Sequence, residues 1–195
     1  LRMKTALFAL ILTLTPALRA ASGVLGEDRQ FSLAAGFGVG KHFASLEQDE
    51  HKSNFSGWAP NLEIGLDIPV GNRVGILVGA ELRQLEMTNS STGSNYIEKA
   101  DGFSRGVKAG FYMGRLGVGG GVSRDSLTIR QVSATTGASE LKLDANTNFY
   151  FANLSFSIKP SYRLTFEGQY RSGDLDGFRY SNFSAGMSFY LLFDL

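Results

Sequence analysis

Residues 182–195, NFSAGMSFYLLFDL, alternate between apolar residues and residues that are mostly small or polar. Apolar side chains, all of them bulky except Ala185, fall on the odd-numbered positions from Phe183 to Leu195, while Asn182, Ser184 and Ser188 lie among the even-numbered ones. Successive side chains of a β-strand point to opposite faces, so a period of two predicts a strand. This strand has one bulky apolar face and one face on which small and polar residues dominate.

The same alternation recurs in seven earlier segments, and no helical period competes with it there. These segments are 31–40, 58–70, 73–83, 103–113, 116–123, 149–158 and 162–171. An even number of strands of about ten residues is typical of barrels that cross a membrane. The sequence therefore predicts an all-β protein, an eight-stranded antiparallel up-and-down transmembrane β-barrel.

The connections between these segments alternate in length. Tight turns are expected near 71–73, 113–115 and 159–161, and long polar loops at 42–56, 86–99, 125–143 and 172–180. Short turns at one end and long loops at the other are typical of an outer-membrane barrel of a Gram-negative bacterium. In that arrangement both termini lie in the periplasm.

The size of the side chains on each face indicates which face points inward. The apolar face is bulky, whereas the other is mostly Gly, Ser, Ala, Thr and Asn, and an eight-stranded barrel has room inside only for side chains. Small and polar residues are therefore expected in the lumen and bulky apolar ones against lipid. Two aromatic belts at the membrane interfaces are expected from Trp58, Tyr170 and Tyr180 near the loops and from Tyr162, Phe111 and Phe193 near the turns.

The composition narrows the classes of function. The 195 residues carry a formal charge of +1, too balanced for the basic surface by which proteins bind nucleic acid. Without cysteine the chain has no disulfide, thiolate zinc site or cysteine nucleophile.

The basic residues Arg2 and Lys4 precede an apolar stretch and a small-residue run, the layout of a secretory signal peptide. We expect residues 1–20 to be that signal and 21–195 to be the barrel domain.

Two stretches resemble a known group of barrels. The C-terminus, with Gly186, Phe189, Leu191, Phe193 and Leu195, looks like the signal by which outer-membrane barrels are recognised for insertion, although the family usually ends on Phe. Residues 164–171, LTFEGQYR, resemble the penultimate strand of the small barrels related to outer membrane protein A, outer membrane protein X and the opacity proteins. The resemblance implies assembly by the barrel insertion machinery and says little about activity.

Eight charged residues are expected on the lumen face of the strands. They are Glu63, Asp67, Glu81 and Glu167 against Arg83, Lys108, Arg163 and Arg171. Charges inside a narrow barrel must pair, because an isolated ion loses much of its hydration. A salt-bridged network that plugs the lumen is the preferred interpretation, and a narrow gated channel for small solutes or ions is the alternative.

An enzyme has one candidate motif. Residues 51–54, His-Lys-Ser-Asn, look like the His-x-Ser-Asn stretch of the lipid A deacylase barrels. That family carries the motif in a late strand with a carboxylate partner, whereas here it lies in the first expected loop. A metal site at His42 and His51 beside the neighbouring acids is also disfavoured, because loop histidines near acids are more often only solvated. We therefore expect a non-enzymatic protein without a cofactor or metal.

The expected loops are the remaining candidates for binding. Loops on a rigid scaffold often carry function, and the third loop, 128–143, is polar and rich in small residues. It could contact lipopolysaccharide, a surface ligand or another envelope protein. The sequence thus predicts a structural or surface-interaction role in the outer membrane, with outer-membrane lipids as partners and no nucleic acid.

Overall fold

The computed structural model describes residues 31–48, 51–71, 73–89, 95–133 and 137–195. The segment expected to be a signal peptide lies outside them. Within these ranges all regular structure is β, in eight strands: β1 (Ser32–Gln48), β2 (His51–Pro69), β3 (Val74–Asn89), β4 (Asn95–Met113), β5 (Leu116–Ser133), β6 (Gly137–Lys159), β7 (Tyr162–Leu175) and β8 (Phe178–Asp194). Within the described ranges there is no helix that is both long and apolar enough to cross a membrane.

Each strand pairs antiparallel with its neighbour in sequence, and β1 pairs with β8 to close the barrel. The closing register runs from Ser32 opposite Asp194 to Glu47 opposite Arg179. Closure leaves no unpaired sheet edge, which is what a hydrocarbon environment demands of a β-structure. The predicted fold, an eight-stranded antiparallel up-and-down barrel, is confirmed.

One end of the barrel, here called the terminal end, holds residues 31 and 195 and three tight turns. The amide of Leu195 donates to the carbonyl of Phe31, and the amides of Val70 and Gly71 donate to the carbonyl of Val74. Gly114 adopts a φ of +63° in the second turn, a conformation that glycine reaches without strain. The tight turns are therefore at the positions that the sequence predicts.

The connections at the opposite end differ from the sequence prediction. The segments expected as long loops are largely strand where they are described: β1 continues to Gln48, β2 starts at His51, β5 continues to Ser133, and β6 starts at Gly137. The segment 172–180 is a hairpin that turns at Asp176 and Gly177, both with positive φ. Two successive positive φ values suit the two-residue turns that match the twist of paired strands.

The outer surface next to the terminal end is an apolar band. Trp58, Phe111 and Tyr150 leave 60%, 65% and 67% of their surface exposed, values that belong in lipid and not in water. On β3, for example, the band ends between Leu82 and Gln84. The expected place of Tyr180 in the aromatic belt is wrong, because its side chain points inward and is fully buried.

Beyond the apolar band the polarity of the wall is reversed. On β5 the outward residues change from Val118 and Val122 to Arg124, while the inward ones change from Ser123 to Leu127. The strand keeps its period of two, but water replaces lipid outside, so the apolar side chains now point inward. The buried apolar cluster formed there, here called the apolar layer, consists of Ala44, Leu46, Phe55, Ala59, Leu85, Met87, Ile97, Ala100, Leu127, Ile129, Leu143, Ala145, Leu175 and Tyr180.

Candidate functional site

The lumen inside the apolar band holds a connected group of charged side chains, here called the charge cluster: Glu63, Glu81, Arg83, Lys108, Asp125, Glu167 and Arg171. They come from β2 to β5 and from β7, each on a lumen-facing position of its strand. The alternation that turns bulky side chains toward lipid therefore brings these charges together.

Glu81 is a junction of the cluster. One carboxylate oxygen accepts from Arg83 Nη2 at 3.1 Å, and the other accepts from Arg171 Nη2. The ammonium of Lys108 lies 4.0 Å away, and the side chain of Glu81 has no exposed surface. Two guanidinium groups on one carboxylate give the charge-assisted hydrogen bonds that a buried ion needs.

Lys108 joins the carboxylates of two other strands. Its Nζ lies 2.7 Å from Glu63 and 3.0 Å from Glu167, and 5.0 Å from the centre of the Phe151 ring. Glu63 also accepts from the Tyr190 hydroxyl at 2.5 Å. The second Glu167 oxygen accepts from Arg83 at 3.0 Å. Each of these carboxylates is therefore held by more than one donor.

Asp125 is a lumen acid that the sequence analysis missed, because it assigned this residue to a loop. Its carboxylate is fully buried, 3.3 Å from Arg171 Nη1, and accepts from the hydroxyls of Ser123 at 3.0 Å and Thr147 at 3.1 Å. Continuing the period of two beyond Ser123 would have placed it in the lumen. The described interior thus holds five acids against four bases.

Arg163 and Asp67 form a separate pair nearer the terminal end, with 2.6 Å between Nη1 and Oδ2. They border a cavity of about 880 Å³ lined mainly by polar residues and opening toward that end. The Arg163 guanidinium lies over the ring of Tyr190, at 5.2 Å, so this tyrosine stands between the pair and Glu63. All eight charged residues singled out in the sequence therefore lie inside the barrel, six of them in the charge cluster.

A short polar chain lies between the charge cluster and the apolar layer. Asn182 lies 3.2 Å from His42 Nδ1 and donates to the Tyr180 hydroxyl at 2.8 Å. Burial raises the pKa of Tyr180, and the nearby Asp125 carboxylate acts in the same direction, so the phenol stays protonated. His42 is buried among these groups, so its side chain is not available for the surface metal site that was considered with His51.

The charge cluster offers a poor site for a metal ion. Carboxylate oxygens of Glu63, Glu81 and Glu167 lie within 4.8 Å of one another, a spacing that suits a cation. Lys108 already provides that cation, with its ammonium against all three. The arrangement is saturated by ion pairs and does not present an open coordination position.

The motif considered for an enzyme, residues 51–54, forms the start of β2, at the end of the barrel opposite the terminal end. His51 pairs with Gln48 in the register, and Ser53 pairs with Leu46 of the apolar layer. The side chain of His51 lies outside the described set. The motif is therefore in the second strand, whereas the lipid A deacylase barrels carry it in a late strand.

The residues expected to form the insertion signal lie on β8. Their neighbours on β1 run from Gly40, opposite Gly186, to Leu33, opposite Phe193. The ring of Phe189 lies 5.9 Å from Phe37 and 5.7 Å from Tyr162, between the two neighbouring strands. Their role in insertion stays a prediction.

Comparisons with known proteins find similarity in structure only. No family model and no curated protein matches the sequence. Two crystal structures of Ail, the attachment invasion locus protein of Yersinia pestis, align with TM-scores of 0.51 and 0.50. The first covers 81% of this chain and 98% of Ail at 14% identity, and the second, a complex with the heparin analogue sucrose octasulfate, covers 82% and 99% at 15% identity. Neisserial surface protein A aligns over 80% of this chain and 97% of its own at 14% identity, with a TM-score of 0.48. This chain has the fold of the small eight-stranded outer-membrane barrels.

Proposed function

We propose that this protein is a non-enzymatic outer-membrane barrel with a closed lumen and a structural or surface-interaction role. The observation that carries the proposal is the filling of the interior at two levels. The charge cluster occupies the part inside the apolar band, with Lys108 and Arg171 almost completely buried. The apolar layer fills the part beyond it, where Leu85 and Ile129 are equally inaccessible.

The polarity of the two ends supports an orientation. The terminal end has only tight turns, whereas the opposite end extends past the apolar band on every strand. At about 3.3 Å per residue and a tilt of about 40°, residues 124–133 of β5 reach roughly 25 Å beyond the band. We assign the terminal end to the periplasm and the extension to the outside of a Gram-negative cell. The expected signal peptide and the insertion machinery fit this export route.

Among the described residues, the surface open to interaction is the outer wall of the extension. Charges of both signs cover this wall: Lys99 pairs with Glu86 at 3.2 Å and with Asp101 at 2.8 Å, and Arg130 lies 3.5 Å from Glu98. A barrel of this fold can hold a ligand, since Ail has been crystallised with sucrose octasulfate. A surface ligand and the lipopolysaccharide around the barrel are the partners that we propose for this wall.

A narrow channel is the second candidate function. It is favoured by the polar cavity that opens at the terminal end and reaches Arg163, Thr165 and Tyr190. The route from there would have to cross both the charge cluster and the apolar layer. A gate that opens only the charge cluster would leave the second barrier in place.

Conductance in planar lipid bilayers separates the two candidates. The purified barrel is expected to give silent membranes, and Lys108→Met is expected to stay silent as well, because the apolar layer is untouched. Arg163→Met, which removes the cation beside the cavity, serves as a second variant. A persistent open state of the unmodified protein that disappears in either variant would replace the closed barrel by the channel.

A further inference from the structure

Two arginines lie directly opposite each other on the outer wall, near the edge of the apolar band that is farther from the terminal end. Arg105 of β4 pairs with Arg124 of β5 in the register, and both side chains are exposed. Directly opposed residues on one face of an antiparallel pair have Cβ atoms about 5 Å apart, and like charges there repel. The sheet gains nothing from this pair by itself, so an anion between the two guanidinium groups would explain it.

The neighbouring carboxylates do not supply that anion. Asp101 and Glu86 are both engaged by Lys99. Asp144 lies 4.0 Å from Arg124, with both side chains more than half exposed, and it already accepts from the Ser126 hydroxyl. Among the described residues, Arg105 has no ion-pair partner.

The height of the pair in the membrane indicates the kind of anion. Below it, Val107 and Val122 pair with each other and leave 57% and 54% of their surface exposed toward lipid. Beyond it, Ser126 follows Arg124 on the outer face of β5, opposite the exposed Phe103 of β4, and Asn146 of β6 lies directly beside Arg124. A ligand that fits has acyl chains against the valines, a phosphate between the arginines and sugar hydroxyls against the polar wall.

We propose that Arg105 and Arg124 bind a phosphate of a phosphorylated glycolipid of the outer leaflet, the lipid A part of lipopolysaccharide. The proposal rests on the proposed function, since it takes the extended end of the barrel as the outer one. Each guanidinium can donate two parallel hydrogen bonds to phosphate oxygens, and the phosphate removes the repulsion between them. The lipid-facing position of Arg105 is then part of a binding site at the headgroup level.

Native mass spectrometry of the detergent-released barrel tests the site with lipid A as the probe. The double variant Arg105→Gln, Arg124→Gln is expected to bind bisphosphorylated lipid A about tenfold more weakly or worse, because two charge-assisted contacts are lost. Arg115→Gln removes an exposed arginine from the tight turn between β4 and β5, at the terminal end and away from the proposed wall, and is the control with unchanged binding.

Two further lipids test whether the site requires a phosphate and whether it requires the glycolipid. Dephosphorylated lipid A is expected to bind the double variant and the unmodified barrel equally. An equal loss for phosphatidylglycerol would show a general anion surface and overturn the assignment to glycolipid, and unchanged lipid A binding would overturn the site. A gel shift between unheated and heated samples confirms that each variant is a folded barrel. Because the test does not measure conductance, its failure would leave the closed lumen standing.

Discussion

At the scale of single residues, the lumen is organised by buried ions that each have several partners. Lys108 is the clearest example, because its ammonium is held by Glu63 and Glu167 and its side chain is only 2% exposed. A buried ion pair contributes little net stability compared with apolar packing, but the loss of one partner is costly. Lys108 therefore stabilises the fold chiefly by neutralising buried carboxylates.

The variant Lys108→Met is expected to lower the free energy of unfolding by about 3–5 kcal/mol, because it leaves buried Glu63 without its cation and Glu167 with Arg83 alone. Urea unfolding of the protein refolded into lipid vesicles measures this change. Lys99→Met, which removes a lysine that also bridges two acids but on the exposed wall, is the control and should leave the unfolding midpoint unchanged. Equal effects of the two variants would contradict the account of the charge cluster.

At the scale of elements, the sequence predicts the number of strands and the membrane-facing side of each, but not how far they extend. The run from Ser123 to Ser126 shows why, since its four consecutive polar residues look like the start of a loop. In the structure, Ser123 and Asp125 point inward and are the last polar residues before Leu127 of the apolar layer. Arg124 and Ser126 point outward and follow Val122, the last lipid-facing residue of this strand. A reversal of polarity within one strand produces the polar run that a loop would also produce.

The hairpin between β7 and β8 lies where a long loop was expected at 172–180, although the sequence carries a signal for it. Asp176-Gly177 is a two-residue combination that favours hairpin turns, and it lies between Leu175 and Phe178. The pairing of charges across the lumen was not predictable in the same way. The partners of Glu81 depend on the register between strands that are far apart in sequence, such as Arg171 of β7.

Close approach of strands at the base of the apolar layer gives a prediction for β4. A side chain at Gly102 would overlap the carbonyl oxygen of Ser126 on β5. Gly102→Ala must therefore push β4 and β5 apart and is expected to cost about 1–3 kcal/mol of unfolding free energy. Gly168→Ala is the matched control, because a methyl group there meets no atom within 4 Å. Equal stability of both variants in urea unfolding would show that the strands are less tightly apposed.

At the scale of the whole molecule, the barrel combines two structures with opposite polarity. The part near the terminal end is apolar outside and charged inside, as lipid requires, and the extension is charged outside and apolar inside, as water requires. One continuous sheet forms both, so the surface that would meet a partner is as regular as the membrane-spanning wall. The proposed closed lumen depends on this reversal of polarity.

Spin labels placed one at a time along β5 test this reversal most directly, and the chain has no cysteine that would compete for the label. In lipid vesicles, labels at Val118→Cys and Val122→Cys are expected to collide with oxygen, which concentrates in lipid. Labels at Ser126→Cys and Thr128→Cys should instead collide with a water-soluble nickel complex, and the thiol of Ile129→Cys should resist water-soluble reagents. Oxygen contact at position 128 equal to that at position 122, or rapid reaction at position 129, would contradict the account.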